Sequence, residues 1–287
     1  MTLKVSFEIF PPRTEKSEAS LYEALDQLAP LEPEFVSMTY GAGGSSRDVN
    51  NRILKELGKR KDFETAAHLT CVGQSKDEID ELIDTWMGYG IKRFVALRGD
   101  MPEPGQPYKP HPEGYENTAD LVQVLANRGA KDISVGCYPE VHPDSPSQDA
   151  DIEHLKSKVD AGATRAISQF FFDVEAFLRF RDKADKAGIN VPLVPGVLPV
   201  HDYHKMVRFA NMCGAIVPDW VGQRFEGLDD DPETRGQVGA IIAAELCTAL
   251  QAEGVDRFHF YTLNRAPLTH AVCRQLGLQP RLEEEAA

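Results

Sequence analysis

No run of apolar residues approaches the ~20 needed to cross a bilayer, and Glu245 interrupts the best candidate, IIAAELCTAL. There is no CxxC pair. The five cysteines, at 71, 137, 213, 247 and 273, are odd in number and scattered, so they frame no zinc or iron–sulfur site. That usage suits a reducing cytoplasm, with the thiols acting as small core hydrophobes. No basic block is present. Lys and Arg number 31 against 45 Asp and Glu, for a net charge of −14, which argues against nucleic acid or anionic membrane as main partners. The start, MTLKVSFEIFPPR, lacks the basic region of a signal peptide and runs straight into strand-like sequence, so a cytoplasmic location is expected. Nor is Gly or Pro in excess, at 22 and 19 of 287 residues. Collagenous and disordered classes are thereby out.

What remains is an ordinary globular composition, 42% hydrophobic and 26% charged, in a chain long enough to bury roughly 75% of its unfolded surface. Eight β-rich runs recur: Val5–Phe10, Phe35–Tyr40, Thr65–Cys71, Arg93–Arg98, Asp132–Tyr138, Arg165–Phe172, Val191–Leu198 and Phe258–Leu263. Most are spaced by about 30 residues, one strand–helix unit. Helical stripes lie between them, such as Ile79, Leu82, Ile83 and Trp86, preceded by the capping box Ser75-Lys-Asp-Glu78. Pro267 suits the first turn of a last helix over Pro267–Leu276. Strand alternating with helix eight times predicts an α/β fold, a (β/α)8 TIM barrel. The connection between strands 7 and 8 is about twice the usual length. It carries helical sequence near Tyr203–Met212 and Val238–Leu250 and a loop from Gly214 to Pro232. No linker or repeat is visible, so 1–287 reads as one domain, with 282–287 as a frayed acidic tail.

Active sites of such barrels lie at the C-terminal ends of the strands. Seven of the eight runs end in polar groups: Glu8; Thr39 and Tyr40; His68; Arg98-Gly99-Asp100; Tyr138 with Glu140 and His142; Gln169; and Tyr261 with Arg265. Glu8 is the sharpest case, a charge within Val5, Phe7, Ile9 and Phe10, where it costs several kcal/mol unless paired or neutralised. A buried carboxylate favours its protonated form and can act as a general acid; the alternative is an interior salt bridge. Arg98 and Asp100 either bind opposite charges on a ligand or pair with each other across the turn. The loop Gly41-Ala-Gly-Gly-Ser-Ser46 is glycine-rich but matches neither G-x-G-x-x-G nor a Walker A motif. His68, Glu140 and His142 could be imagined as metal ligands, but there is no H-E-x-x-H helix and the prolines flanking Glu140 and His142 suggest a stiff loop, so no metal site is expected.

Together SFEIFPPRT, FVSMTYGAGG, AAHLTC, FVALRGD, YPEVHP, AGATRAISQFFFD and FHFYTLNRA resemble the methylenetetrahydrofolate reductase family over about residues 4 to 280, in its short bacterial form. The resemblance implies non-covalent FAD and ping-pong reduction of 5,10-methylenetetrahydrofolate to 5-methyltetrahydrofolate by NADH or NADPH. That reaction feeds methionine synthesis and one-carbon metabolism, in a homodimer or homotetramer. It further implies that Glu8 is the general acid that protonates N10 of the folate. Asp100 matches the carboxylate that stabilises the resulting cation and tunes the flavin. Thr39, Tyr40, Ala42, His68, Arg98, Gly99, Tyr115, Tyr138, His142, Asp151 and Lys158 match positions lining FAD. Gln169, Phe209, Tyr261 and Arg265 match the shared folate and nicotinamide site.

Some positions depart from the family pattern. His154 and Ser157 stand where Asn and Arg are expected against the adenosine half of FAD. Lys205 lies near where some members place a Gln in the substrate region; it is either a cation for the glutamate carboxylates of folate or a solvated helix residue. The segment Pro102–Glu113 is longer and richer in Pro than in the enteric form. Two rivals are a partner-dependent electron-transfer reductase of the same family and a metal-dependent lyase or hydrolase on the same barrel.

Overall fold

A computed structural model describes residues 3–40, 47–101 and 106–281. Eight parallel strands close into a barrel in chain order. They are β1 (Lys4–Ile9), β2 (Val36–Met38), β3 (Thr65–Thr70), β4 (Arg93–Leu97), β5 (Asp132–Cys137), β6 (Arg165–Phe170), β7 (Leu193–Val197) and β8 (Arg257–Tyr261). The connecting helices are α1 (Glu15–Leu28), α2 (Arg47–Leu57), α3 (Lys76–Gly88), α4 (Thr118–Asn127), α5 (Gln148–Asp160) and α6 (Val174–Lys186). After β7 come α7 (Tyr203–Cys213), α8 (Asp219–Phe225) and α9 (Pro232–Ala252), and α10 (Ala266–Gln275) closes the ring. The expected eight-fold alternation holds, and the Ser75 capping box is formed as read, with Ser75 Oγ accepting from Glu78 N–H. The segment 214–232 is not all loop: α8 lies within it and packs on α9. Residues 41–46, with Ala42, residues 102–105 and residues 282–287 lie outside the described residues. No described helix is long and apolar enough to cross a membrane.

Strand side chains alternate between the barrel interior and the helix layer. Val5, Phe7 and Ile9 of β1 pack with Leu21 and Leu25 of α1 and Phe258 and Phe260 of β8 in the main core. Each fully buried side chain of this kind contributes roughly 1.5–3 kcal/mol. The opposite parity, Ser6, Glu8, His259 and Tyr261, is left to the barrel interior. At the N-terminal end that interior is plugged by Phe35 with Ala66, Val95, Ile167 and Val194. The Arg165 guanidinium lies 5.0 Å over the Phe35 ring and pairs with Glu34 at 3.0 Å. The plug seals one end of the barrel, and the polar interior faces the other.

Candidate active site

Glu8 enters the barrel between Ser37 of β2 and Tyr261 of β8, its neighbours in register. One carboxylate oxygen lies 3.5 Å from His68 Nε2 and 3.8 Å from His259 Nε2. Both imidazoles are buried, and neither Nε2 has a hydrogen-bond partner. Burial pushes His68 down to about 4, against the opposing pull of Glu8, so its ring is neutral at pH 7. His259 is fixed from its other side by Ser6 Oγ, 2.7 Å from Nδ1. The Glu8 backbone is clamped, since Thr262 donates to its carbonyl from both N–H (3.2 Å) and Oγ (2.6 Å). Asn264 accepts from Phe10 N–H at 2.9 Å and donates to Phe10 O at 2.8 Å. This requires left-handed backbone at Leu263 and Asn264, with φ of 51° and 55°. The carboxylate contacts exceed ordinary hydrogen-bond length, so a rigid strand end carries a loosely held carboxylate.

Tyr261 lies beside it, donating its hydroxyl to Ser168 O at 2.7 Å. Burial, with the Glu8 charge, holds this phenol well above its usual range, so it stays a neutral donor. Gly196 makes the room: a Cβ there would stand 2.7 Å from the Tyr261 ring and 2.1 Å from Ser168 O. Gln169 turns its Oε1 onto Phe170 N–H at 3.0 Å. Phe209 of α7 stacks on Phe170 with centroids 5.5 Å apart and planes 15° from parallel, and remains 44% exposed. The exposed Lys205 pairs with Asp202 at 3.1 Å on the same helix turn. Arg265 precedes α10, exposed, and its charge adds to the burial that pushes His201 down to about 4.

On the β4–β5 side, Arg98 does not pair with Asp100. Its Nη2 donates to Asp144 at 2.7 Å, so a simple turn pair is excluded. Gly99 holds φ 82°, and a Cβ there would press to 2.4 Å from Val72 Cγ1. Asp100 is exposed, and its charge adds to the burial that raises Tyr138 and pushes Cys213 up to about 11. The Tyr138 and His142 rings meet edge-on at 4.6 Å. His142 N–H donates to Asp151 at 2.9 Å, and its Nδ1 accepts Asp144 N–H at 2.9 Å. Neutral His142 therefore carries its proton on Nε2, a form favoured by burial and by Arg98. Lys158 donates to Gly136 O at 2.6 Å, its ammonium held below its usual range by desolvation.

At the β2 end, Thr39 Oγ1 is buried without a hydrogen-bond partner. Tyr40 donates to Gln74 Oε1 at 3.1 Å, which also accepts from Arg47 at 3.1 Å. Tyr115 packs in the helix-layer core and donates to Asp80 at 2.8 Å; burial and that bond push its phenol up to about 12. His154 and Ser157 are exposed on α5, with Ser157 Oγ donating to His154 O at 2.8 Å.

The structure thus gathers Glu8, His68 and Tyr261 in the barrel mouth and Asp100, Tyr138 and His142 beside it. It leaves Lys205, His154 and Tyr115 in helix contacts. The imagined metal set is dispersed: His68 faces Glu8, His142 is engaged as above, and Glu140 accepts Ile216 N–H at 2.8 Å. Among the described residues no three His, Cys, Asp or Glu side chains are grouped to hold a metal. Ser6, His259, Thr262, Asn264 and Gly196 were not singled out from the sequence. For His259 the signal was present, two positions before Tyr261 and so on the same strand face.

The family model described as methylenetetrahydrofolate reductase matches residues 2–277. The chain belongs to that family. It is 49% identical over 278 residues to the 5,10-methylenetetrahydrofolate reductase of Pectobacterium carotovorum subsp. carotovorum, covering 97% of this chain and 91% of the relative. Identity to the protein of the same name from Escherichia coli (strain K12) is also 49%, over 280 residues, 98% of this chain and 93% of the relative. As a member of the methylenetetrahydrofolate reductase family the chain is an oxidoreductase. Its fold is similar to that of a Clostridium thermocellum protein described as binding two copies of 5-methyl-5,6,7,8-tetrahydrofolic acid. The TM-score is 0.63 at 15% identity, covering 96% of this chain and 94% of the other. Yersinia pestis DHPS with a pterine-sulfa conjugate gives a TM-score of 0.52 at 14% identity, covering 96% and 92%. At such identities the likeness concerns the fold alone.

Proposed function

We propose that this chain reduces 5,10-methylenetetrahydrofolate to 5-methyltetrahydrofolate, with FAD as resident cofactor and NADH or NADPH as reductant, the two substrates taking turns at one site. The carrying observation is Glu8, a loosely held carboxylate on a clamped strand end in the barrel mouth. The residues present fit a flavin dinucleotide. Thr39 Oγ1 is buried and unpartnered, and Arg98 offers charge to a diphosphate. Arg98, Gly99, Thr39, Tyr40, Tyr138, His142 and Asp151, with Lys158 and His68, would hold it. When bound, FAD supplies the acceptor and donor of hydride.

This chain's residues do the rest. Glu8 gives a proton to N10 of the folate, which opens the five-membered ring, and the neutral His68 beneath it leaves the resulting carboxylate without a fixed counter-cation. Asp100 opposes the positive charge that the opened folate then carries. Gln169, Phe209, Tyr261 and Arg265 orient the pterin or the nicotinamide. A relative from Arabidopsis thaliana, of which this chain covers 48%, is named methylenetetrahydrofolate reductase (NADH) 1, which supports NADH. The product supplies methyl groups for methionine synthesis, and the working form is a cytoplasmic homo-oligomer.

The test is the colour and kinetics of the purified chain. A yellow protein that is bleached by NADH or NADPH alone and reoxidised by methylenetetrahydrofolate supports the reading. A colourless protein, or a flavin that no nicotinamide reduces without a second protein, contradicts it.

A further inference from the structure

The stretch 106–113, between β4 and α4, has no part in the reading above, yet it and the residues that follow it are tied over the ends of β3 and β4. Lys76 N–H donates to Glu113 O at 2.9 Å and Gly114 N–H to His111 O at 2.8 Å. Tyr108 donates to Glu116 O at 3.2 Å, and its hydroxyl lies 3.5 Å from Cys71 Sγ, itself 3.4 Å from Arg98 O. These ties set the Tyr108 ring against the Arg98 guanidinium, whose carbon stands 5.0 Å from the ring centroid. The same guanidinium donates through Nη2 to Asp144 at 2.7 Å and through Nε to Gly99 O at 3.3 Å.

The two contacts differ in kind. Asp144 uses an N–H and cancels charge, so by itself it would compete with an anionic ligand. An aromatic face attracts the cation without cancelling its charge. A ring is therefore the better support for an arginine that must still bind an anion.

We propose that Tyr108 is a positioning residue: its ring holds the Arg98 guanidinium between itself and Asp144, ready for the diphosphate of FAD. This rests on the reading above that Arg98 faces FAD. It gives the Pro-rich segment a role, that of carrying an aromatic support to the cofactor site.

The experiment is FAD titration of the deflavinated chain, followed by quenching of flavin fluorescence, with the thermal midpoint of each apo variant measured alongside. Tyr108→Leu should weaken FAD binding about three- to fivefold, the scale of a partly exposed cation–π contact. Tyr108→Phe, which keeps the ring and loses the hydroxyl, should bind within about twofold of wild type. In an Arg98→Gln background Tyr108→Leu should cost nothing further, since its effect passes through the guanidinium. Unchanged binding in Tyr108→Leu, an equal loss in Tyr108→Phe, or a loss that persists in the Arg98→Gln background would each overturn the proposal. If Tyr108→Leu does not fold, Tyr108→Met is compared with Tyr108→Phe by the same criteria. A wild-type chain that takes up no FAD overturns the cofactor reading itself, whereas wild-type uptake without a Tyr108 effect overturns this inference alone.

Discussion

At the scale of single residues, charge placement governs the site. Asp100 is solvent-exposed, yet its charge adds to the burial that raises Tyr138 and Cys213. A negative charge beside the flavin disfavours the anionic reduced form. Asp100→Asn is therefore expected to raise the midpoint potential of the bound flavin and, by removing the counter-charge to the folate cation, to slow the folate half-reaction. The slowing should be about tenfold, below that of a buried donor, because solvent screens Asp100. An unchanged potential would place Asp100 away from the flavin. Glu8 was legible in the sequence because a charge within an apolar strand demands a reason. Its surroundings were not: Ser6 and His259 are 253 positions apart in the chain, and barrel closure alone brings them together. Arg98 and Asp144 likewise stand 46 positions apart, so sequence proximity pointed to Asp100 instead.

Among the elements, α7 carries Phe209, proposed above to orient the pterin or the nicotinamide. Its stripe of Met206, Phe209 and Ala210 reads as a packing face, and Met206 and Ala210 are indeed buried. Phe209 differs, since it stacks on Phe170 while remaining 44% exposed. Phe209→Leu should change the affinities for NADH and folate unequally, by up to about tenfold for an aromatic contact of 0.5–1.5 kcal/mol, while FAD content stays intact. A lower thermal midpoint with unchanged ligand constants would make Phe209 a packing residue only. The strands were read nearly to their ends because branched and aromatic runs between turns mark them. The helix α8 was missed because Pro218, Gly222 and Gly227 give 214–232 the look of a loop. It forms because Val221 and Phe225 bury themselves against the neighbouring helices.

For the whole molecule, one end of the barrel is plugged and ion-paired while the other carries ionisable groups in partly buried positions. His68 connects that arrangement to stability. Its folded pKa is about 4 and its unfolded value about 6.5, so the unfolded chain takes up a proton first as pH falls. The stabilising contribution is full above about pH 6.5 and is lost toward pH 4, by at most about 1.4 kcal/mol per pH unit. The thermal midpoint of wild type should fall between pH 7 and 5 more steeply than that of His68→Asn; parallel profiles would mean that folding does not lower the His68 pKa. The central claim, that Glu8 is an acid for the folate and not a prop for the barrel, is tested most directly by stopped-flow half-reactions of Glu8→Gln. Flavin reduction by NADH should survive nearly unchanged, while reoxidation by methylenetetrahydrofolate falls by at least the ~10²-fold typical of a lost general acid. Loss of both half-reactions in equal measure would contradict the account and make Glu8 structural.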